Sequence, residues 1–181
     1  MHLNLLGMPG SGKTTLGRAL AAHYALPFLD LDAEIVARAG QAIPAIFMEH
    51  GEAHFRRLEA EALRDLAARP GAAVLATGGG TPCFYHNLTV LNATGCTAWL
   101  DVPVVVLAAR LAAGPETASR PLLAATGPTE TWLRETLSAR AQFYAQARVR
   151  IAHPAGPVAT VAVQLAAAGF APSAADFRPG A

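Results

Sequence analysis

The segment from Gly7 to Thr14 reads Gly-Met-Pro-Gly-Ser-Gly-Lys-Thr, which matches the pattern G-x-x-x-x-G-K-[ST]. Glycines let such a loop curl so that successive backbone N–H groups point inward at phosphate oxygens. An apolar stretch precedes the loop and helical apolar spacing follows it, and a helix N-terminus adds partial positive charge to the cradle. The pattern in this setting predicts a nucleotide-phosphate site rather than a chance glycine-rich turn.

Lys13 is the only lysine in the sequence, against thirteen arginines. A compact ammonium on a flexible stem differs chemically from a planar guanidinium. We expect Lys13 to reach the β- and γ-phosphates as a catalytic cation and the Thr14 hydroxyl to ligate Mg²⁺. The residues predicted to bind the nucleotide phosphates are Gly10, Ser11, Gly12, Lys13, Thr14 and Thr15.

Two acids, Asp30 and Asp32, lie at the end of a predicted strand, Phe28 to Leu31. Strand alternation sends their side chains toward the same side. Phosphoryl transfer requires charge neutralisation and a positioned nucleophile, so one acid is predicted to support Mg²⁺ and the other to lie over an acceptor hydroxyl. The alternative is that Asp32 only caps the helix that it starts.

Arg56 and Glu59 share one face of a predicted helix, Ile43 to Arg69, which is interrupted near Gly51. Taken alone, this spacing favours a surface ion pair of little energetic value. The triple glycine Gly78-Gly79-Gly80 follows a third strand, where bare backbone N–H groups can donate to a ligand, or where the run is simply a flexible turn.

Three further arginines follow later in the chain. Arg120 lies in a stretch without periodicity, 114–127, which predicts a mobile loop; it either meets the transferred phosphoryl group or is a solvated cation. Arg110, on the helix before this loop, is a surface or a nucleotide-facing residue. Arg140 lies on the helix after it, and the neighbouring Phe143 and Tyr144 are expected to pack in the core.

Strands alternating with helices predict an α/β fold with a parallel sheet covered on both faces and a ligand site beyond the carboxyl ends of the strands. The 181 residues suit one domain, and residues 170–181 look like a loosely held tail. The predicted strands are His2 to Leu6, Phe28 to Leu31, Ala73 to Ala76, Cys96 to Leu100 and Val149 to Ala152.

The composition excludes several classes of protein. A content of 52% hydrophobic and 15% charged residues is that of a packed domain rather than a disordered chain. A net charge of +1 favours neither nucleic acid nor an anionic membrane as a partner. The two cysteines lack metal-ligand spacing, which suits a reducing cytoplasm. The first strand begins at once, so we expect no N-terminal signal, and no apolar run approaches the roughly 20 residues of a membrane span.

Taken in order, these segments resemble the shikimate kinase family, which belongs to the P-loop, nucleoside-monophosphate-kinase-like enzymes. Gly80-Thr-Pro-Cys-Phe84 also resembles one branch of that family. The resemblance implies a monomeric three-layer α/β/α P-loop fold with a five-stranded parallel sheet ordered 2-3-1-4-5. It also implies a substrate-binding subdomain at about residues 32–60 and a mobile lid at about 112–126.

The resemblance further implies ATP- and Mg²⁺-dependent phosphorylation of the 3-hydroxyl of shikimate in aromatic amino-acid synthesis. By matching position, Asp32 holds substrate hydroxyls and acts as base, while Arg56 and Arg140 bind the shikimate carboxylate. The remaining assignments are ring support by Gly78, Gly79 and Gly80, support of Arg56 by Glu59, phosphate contact by Arg120, adenine contact by Arg110, and metal binding by Thr14 and Asp30.

One departure and two rival functions remain at this point. The stretch His153 to Pro157 has no arginine where the family often carries a basic, adenine-contacting segment. The first rival is another small-metabolite kinase of the same architecture, such as a gluconate-type kinase. The second is a nucleotide-binding protein without kinase activity.

Overall fold

A computed structural model describes residues 1–113, 129–152 and 156–172. Five strands alternate with seven helices over this part of the chain. Their order is β1 His2–Leu6, α1 Lys13–Tyr24, β2 Phe28–Asp30, α2 Leu31–Ala39, α3 Ile43–Ala68, β3 Val74–Ala76, α4 Asn87–Thr94, β4 Gly95–Asp101, α5 Val104–Ala113, α6 Glu130–Tyr144, β5 Val149–Ala152 and α7 Val158–Ala167, with a short 3₁₀ helix Thr81–Cys83 after β3.

All strand pairs in the sheet are parallel, and the strand order is β2-β3-β1-β4-β5. Leu3 of the central strand β1 lies opposite Val74 on one neighbour and Cys96 on the other. Every residue of β1 is buried, as is typical of a parallel sheet with helices on both faces. The predicted fold class and strand order are therefore confirmed.

Two hydrophobic clusters cover the two faces of the sheet. Consecutive residues of β3 point to different clusters. Val74 belongs to the cluster that includes side chains of α1 and α7, and Leu75 belongs to the cluster that includes side chains of α2 to α6. This gives three layers, because strand alternation sends apolar residues to both faces.

The strand order decides where the predicted site residues meet. Because β2, β3 and β1 are neighbours, the segments at their carboxyl ends lie side by side at one edge of the sheet. Those segments begin at Asp30, Thr77 and Gly7. The edge thus brings together the two acids, the triple-glycine loop and the phosphate loop.

Helix α3 contains the predicted interruption. Gly51 has φ 76° and ψ 174°, outside helical geometry, so two helical segments meet there at a kink. A positive φ of this kind is accessible to glycine at little cost. The boundaries of α3 and of the five strands lie within one residue of those predicted.

The prediction of a loose tail from residue 170 onward is wrong at its first residue. Phe170 is completely buried, and its ring meets Tyr24 edge-on with centroids 5.3 Å apart. Large aromatic side chains gain most from such burial, so Phe170 belongs to the core. Residues 173–181 of the predicted tail and 114–126 of the predicted lid lie outside the described residues. No helix in the described part of the chain is long and apolar enough to span a membrane.

Candidate active site

The phosphate loop curls through glycines with positive φ. Gly10 and Gly12 have φ 78° and 92°, in the left-handed region that favours glycine. Gly12 directly precedes α1, and no side chain caps the first turn of that helix. The N-terminal N–H groups of α1 therefore remain available to an anion at the mouth of the loop.

The Lys13 side chain folds back across this loop. Its Nζ donates hydrogen bonds of 2.9 Å to the Gly7 carbonyl and 3.0 Å to the Met8 carbonyl. Lys13 is 8% exposed and lines the same cavity as the glycines of the loop. The ammonium is therefore held against the backbone of the phosphate loop itself.

Arg110 approaches the same loop from α5. Its Nη1 donates to the carbonyl oxygens of Gly10 at 3.2 Å and Ser11 at 3.4 Å. The sequence left open whether Arg110 faces the surface or the nucleotide. The structure places its guanidinium over the phosphate loop, although the residue as a whole is exposed.

Asp30, and not Asp32, caps helix α2. The Asp30 Oδ1 accepts from the backbone N–H groups of Asp32 at 3.1 Å and Ala33 at 3.3 Å. Strand β2 ends at Asp30, one residue earlier than predicted, so Asp32 lies in the first turn of α2 and strand alternation does not relate the two acids. The alternative considered for Asp32, that it only caps this helix, is therefore wrong, because Asp30 is the N-cap residue.

The second oxygen of Asp30 points to the phosphate loop. Thr14 Oγ1 donates to Asp30 Oδ2 at 3.3 Å. A hydroxyl and a carboxylate oxygen side by side form a hard oxygen donor set, which Mg²⁺ prefers. The described residues contain no group of three or more His, Cys, Asp or Glu able to hold a metal.

Asp32 lies against the triple-glycine loop. Its Oδ1 is 3.1 Å from the position that a Cβ on Gly78 would take. The residue is half-buried and lines the same cavity as the phosphate loop. Its carboxylate therefore reaches the space between the bare glycine backbone and the phosphate loop.

The expectation of a surface ion pair for Arg56 and Glu59 is wrong. Arg56 Nη1 donates to Glu59 Oε2 at 2.8 Å, and the two residues are 5% and 0% exposed. Glu52, exposed on the preceding turn, accepts from Arg56 Nε at 3.2 Å and Nη2 at 3.1 Å. Buried charges of this kind require pairing and hydrogen bonds to be tolerated.

Two residues of the next segment contact this buried pair. Thr81 Oγ1 donates to Glu59 Oε1 at 2.6 Å. The Arg56 Cζ lies 4.5 Å from the ring centroid of Phe84 and 5.1 Å from that of Phe55. No role was predicted for these residues, because the local signals of the network are only the spacings of Arg56 from Glu52 and from Glu59 along α3.

The three glycines form a tightly packed surface rather than a flexible turn. Added Cβ atoms on Gly78, Gly79 and Gly80 would lie 2.9 Å from Glu59 Oε1, 2.9 Å from Pro9 Cδ and 2.7 Å from Arg56 Nη2. Real Cβ atoms essentially never approach that closely. The glycines are needed because site residues pack directly on the backbone.

Arg140 and Tyr144 reach the glycine loop from α6. Arg140 Nη1 lies 3.2 Å from the Cβ position of Gly79. Tyr144, fully buried, donates a 2.5 Å hydrogen bond to the Gly79 carbonyl. Burial raises the pKa of Tyr144 to about 12, so its hydroxyl stays protonated as a donor. Tyr144 packs as predicted, but its hydrogen bond, one helical turn after Arg140, was missed.

A cavity of about 960 Å³ collects these groups. This volume lies at the upper end of the range for small-molecule and cofactor sites. Arg120 lies outside the described residues. The other predicted site residues all line the cavity, namely Gly10, Ser11, Gly12, Lys13, Thr14, Thr15, Asp30, Asp32, Arg56, Glu59, Gly78, Gly79, Gly80, Arg110 and Arg140.

Known structures share this fold. The chain superimposes on a shikimate kinase from Acinetobacter baumannii in complex with shikimate with a TM-score of 0.84, 35% identity and coverage of 93% of this chain and 94% of that one. A shikimate kinase from Bacteroides thetaiotaomicron gives a TM-score of 0.78, also at 35% identity, with 93% of both chains covered. A gluconokinase from Sinorhizobium meliloti shares 18% identity at a TM-score of 0.59, which shows a common fold alone.

Sequence comparison points to the same family. The family model described as shikimate kinase matches residues 9–167. A shikimate kinase from Nitratidesulfovibrio vulgaris is 40% identical over 163 residues, covering 90% of this chain and 92% of the relative. Another from Bacteroides fragilis is 41% identical over 149 residues, covering 81% and 82%. The family model takes in the phosphate loop from Pro9 onward together with the acids and the arginines, and the chain belongs to the shikimate kinase family.

Proposed function

We propose that this protein transfers the γ-phosphoryl group of ATP to the 3-hydroxyl of shikimate. The observation that carries the proposal is the convergence of a phosphate loop, a carboxylate and two arginines on one cavity. Family membership supports it, as does the structural similarity to an enzyme solved with shikimate.

The nucleotide side of the reaction uses the phosphate loop. Loop N–H groups and the N-terminus of α1 bind the phosphates, and Lys13 neutralises charge that builds up on the transferred group. Arg110, held over the loop by the carbonyls of Gly10 and Ser11, contacts the nucleotide from the α5 side. Arg120 is proposed to meet the phosphates from the lid.

Thr14 and Asp30 would hold Mg²⁺, since their oxygens lie side by side at the phosphate loop. When bound, the ion supplies positive charge to the phosphate oxygens. The cap bonds that Asp30 Oδ1 accepts from α2 keep the carboxylate in place, with Oδ2 directed at Thr14.

The acceptor side uses Asp32 as base. Its carboxylate takes the proton of the attacking hydroxyl as that oxygen bonds to the γ-phosphorus, and ADP leaves with the bridging oxygen. Asp32 suits this role because it lies between the glycine loop and the phosphate loop, within the same cavity. Positioning of the two reactants contributes much of the rate enhancement in such transfers.

The carboxylate of shikimate is proposed to bind Arg56 and Arg140. The two guanidinium groups lie against neighbouring glycines, Arg56 at Gly80 and Arg140 at Gly79. Guanidinium forks match carboxylates bidentately, which favours a carboxylated acceptor. Gluconate also carries a carboxylate and hydroxyls, so a gluconate-type kinase is the second candidate.

Replacing Arg140 by alanine is expected to raise the KM for shikimate on the order of 10- to 100-fold, because a charged hydrogen-bond partner of the carboxylate is lost. The KM for ATP should change much less, since the Arg140 guanidinium lies against Gly79 and the phosphates are bound by the backbone N–H groups of the phosphate loop. Steady-state kinetics with each substrate varied in turn measure both values. Arg134→Ala, on the exposed side of the same helix, is the matched control. Equal rises in both KM values would argue against the carboxylate role.

A coupled ADP-release assay tests the function itself. Shikimate, gluconate and nucleoside monophosphates are compared as acceptors at equal concentrations, with shikimate expected to give by far the highest kcat/KM. Turnover of gluconate alone would replace the proposal by the second candidate. ADP binding without turnover of any acceptor would favour a nucleotide-binding protein without kinase activity.

The setting of the enzyme is proposed from composition and family. A net charge of +1 provides no broad field for nucleic acid or membrane surfaces, so small molecules are the expected partners. We propose a monomer acting in the cytoplasm, with residues 32–60 as a substrate-binding subdomain. Sedimentation velocity at micromolar protein would show one species of about 19 kDa if the chain is monomeric; a dimer would contradict this.

A further inference from the structure

The segment after the triple-glycine loop contacts the Arg56–Glu59 pair at two points. Thr81 donates to the Glu59 carboxylate, and the Phe84 ring lies beside the Arg56 guanidinium. Neither Thr81 nor Phe84 lines the cavity, so neither is placed to touch a substrate there. Both contacts bear on Arg56, which is proposed to bind the substrate carboxylate: Phe84 contacts it directly and Thr81 acts through Glu59.

We propose that Thr81 and Phe84 are positioning residues that hold the Arg56 guanidinium in the orientation in which it binds a substrate carboxylate. This inference rests on the proposed function, in which Arg56 is one of the two arginines that bind shikimate. Thr81 acts through Glu59, and Phe84 acts on Arg56 itself.

Thr81 fixes the Glu59 carboxylate from one side. Both residues are 0% exposed, and Glu59 Oε1 accepts from Thr81 at 2.6 Å while Oε2 accepts from Arg56 at 2.8 Å. Thr81 is itself held, since its N–H donates to the Gly78 carbonyl and its carbonyl accepts from Asn87 Nδ2 at 3.0 Å. Because the Thr81 hydrogen bond restricts rotation of the Glu59 carboxylate, the position of Oε2 is fixed. The hydrogen bond from Arg56 Nη1 to Oε2 then fixes the direction of the guanidinium group.

Phe84 limits the tilt of the guanidinium group. A cation within about 6 Å of an aromatic centroid is attracted to the ring face, and the Arg56 Cζ is 4.5 Å from that of Phe84. The backbone of Gly80 lies against the same guanidinium group. A Cβ at Gly80 would be 2.7 to 3.0 Å from Nη2, Nη1 and Cζ of Arg56. The flat guanidinium group thus contacts both an aromatic ring and bare backbone.

In this orientation, the Arg56 guanidinium keeps N–H groups that can donate to a ligand. Within the described residues, bonds to Glu52 and Glu59 use three N–H groups of Arg56: one on Nε, one on Nη2 and one on Nη1. A guanidinium carries five N–H groups, so one remains on each terminal nitrogen. Two such donors match the two oxygens of a carboxylate, and their direction depends on the contacts with Glu59 and Phe84.

Phe84→Leu is the first test. Phe84 is 36% exposed, so the variant should fold with little change in Tm. The KM for shikimate is expected to rise about three- to tenfold, with the KM for ATP and kcat nearly unchanged. The conservative variant Phe84→Tyr retains the ring face, so its KM for shikimate should equal that of the wild type. Tyr85→Leu removes the neighbouring aromatic, which is 45% exposed, and should have no effect.

Thr81→Val is the second test, since it removes the hydroxyl at nearly constant volume. A comparable rise in the shikimate KM, seen also as weaker shikimate binding by calorimetry, is expected. An unchanged shikimate KM in either variant would overturn the role of that residue while leaving the proposed function intact. Absence of shikimate turnover in the wild-type protein would instead overturn the proposed function, and this inference with it.

Discussion

Replacing Asp32 by asparagine is expected to lower kcat by about 10²- to 10⁴-fold, the range associated with a general base. Asparagine preserves the size of the side chain and one acceptor oxygen but cannot take the proton of the attacking hydroxyl. The Asp32 carboxylate lies beside Gly78 and lines the cavity, and the substitution leaves the backbone N–H groups of the phosphate loop unaltered, so we expect ADP to bind as in the wild type. Steady-state kcat for shikimate and the Kd of ADP measured by calorimetry check both halves of the prediction.

Asp65→Asn is the matched control for this variant. Asp65 lies on the exposed surface of α3 and pairs with Arg38, far from the proposed chemistry, so kcat should match the wild type. Turnover of Asp32→Asn within a few-fold of the wild type would remove Asp32 from proton transfer. A parallel loss of ADP binding would show instead that the substitution disturbs the phosphate loop.

Replacing Glu59 by alanine is expected to lower the free energy of unfolding by about 3–5 kcal/mol, as for the loss of one partner of a buried ion pair. Glu59 is 0% exposed and accepts from both Arg56 and Thr81, so its removal leaves buried donors without their partner. Urea denaturation at constant m-value measures the change. The shikimate KM should rise as well, because Arg56 loses its buried support.

Glu52→Ala provides a control on the same arginine. Glu52 also pairs with Arg56, but its side chain is 49% exposed, whereas that of Glu59 is 0% exposed. An exposed carboxylate of this kind contributes about 0–1 kcal/mol. Equal losses in the two variants would contradict the importance of burial. Glu59→Gln, which keeps the volume, serves if the alanine variant does not accumulate as folded protein.

The fold was predictable because its signals are local. Apolar runs of strand length alternate with helical periodicity, and Gly51 and the Pro70-Gly71 turn interrupt or end α3 where the pattern changes. Parallel topology then follows from the alternation of strands and helices. The strand order 2-3-1-4-5 came from the family resemblance, since periodicity alone does not say which strands are neighbours.

Errors arose where side-chain environment depends on distant parts of the chain. The three-residue spacing of Arg56 and Glu59 is compatible with a solvated face or a buried one. The pair is buried because two residues from a later segment cover it. Thr81, 22 residues after Glu59, bonds to that carboxylate, and the Phe84 ring packs on Arg56. Phe170 was placed in a loose tail because proline and glycine follow it, but the sheet face and Tyr24 provide an apolar pocket for its ring.

The sequence by itself determined the chemistry of phosphate binding. The loop has glycines at positions of positive φ, precedes a helix and carries Lys13. This combination is typical of phosphate binding, and its geometry is set within eight residues. The tertiary structure decided how the acceptor side is built. The Tyr144 hydroxyl meets Gly79 across 65 residues of chain, Arg140 reaches the same glycine, and Glu59 is buried only once the helices and the glycine loop have packed. Desolvation and long-range hydrogen bonding act on side chains that folding has already brought together, so no local pattern encodes them.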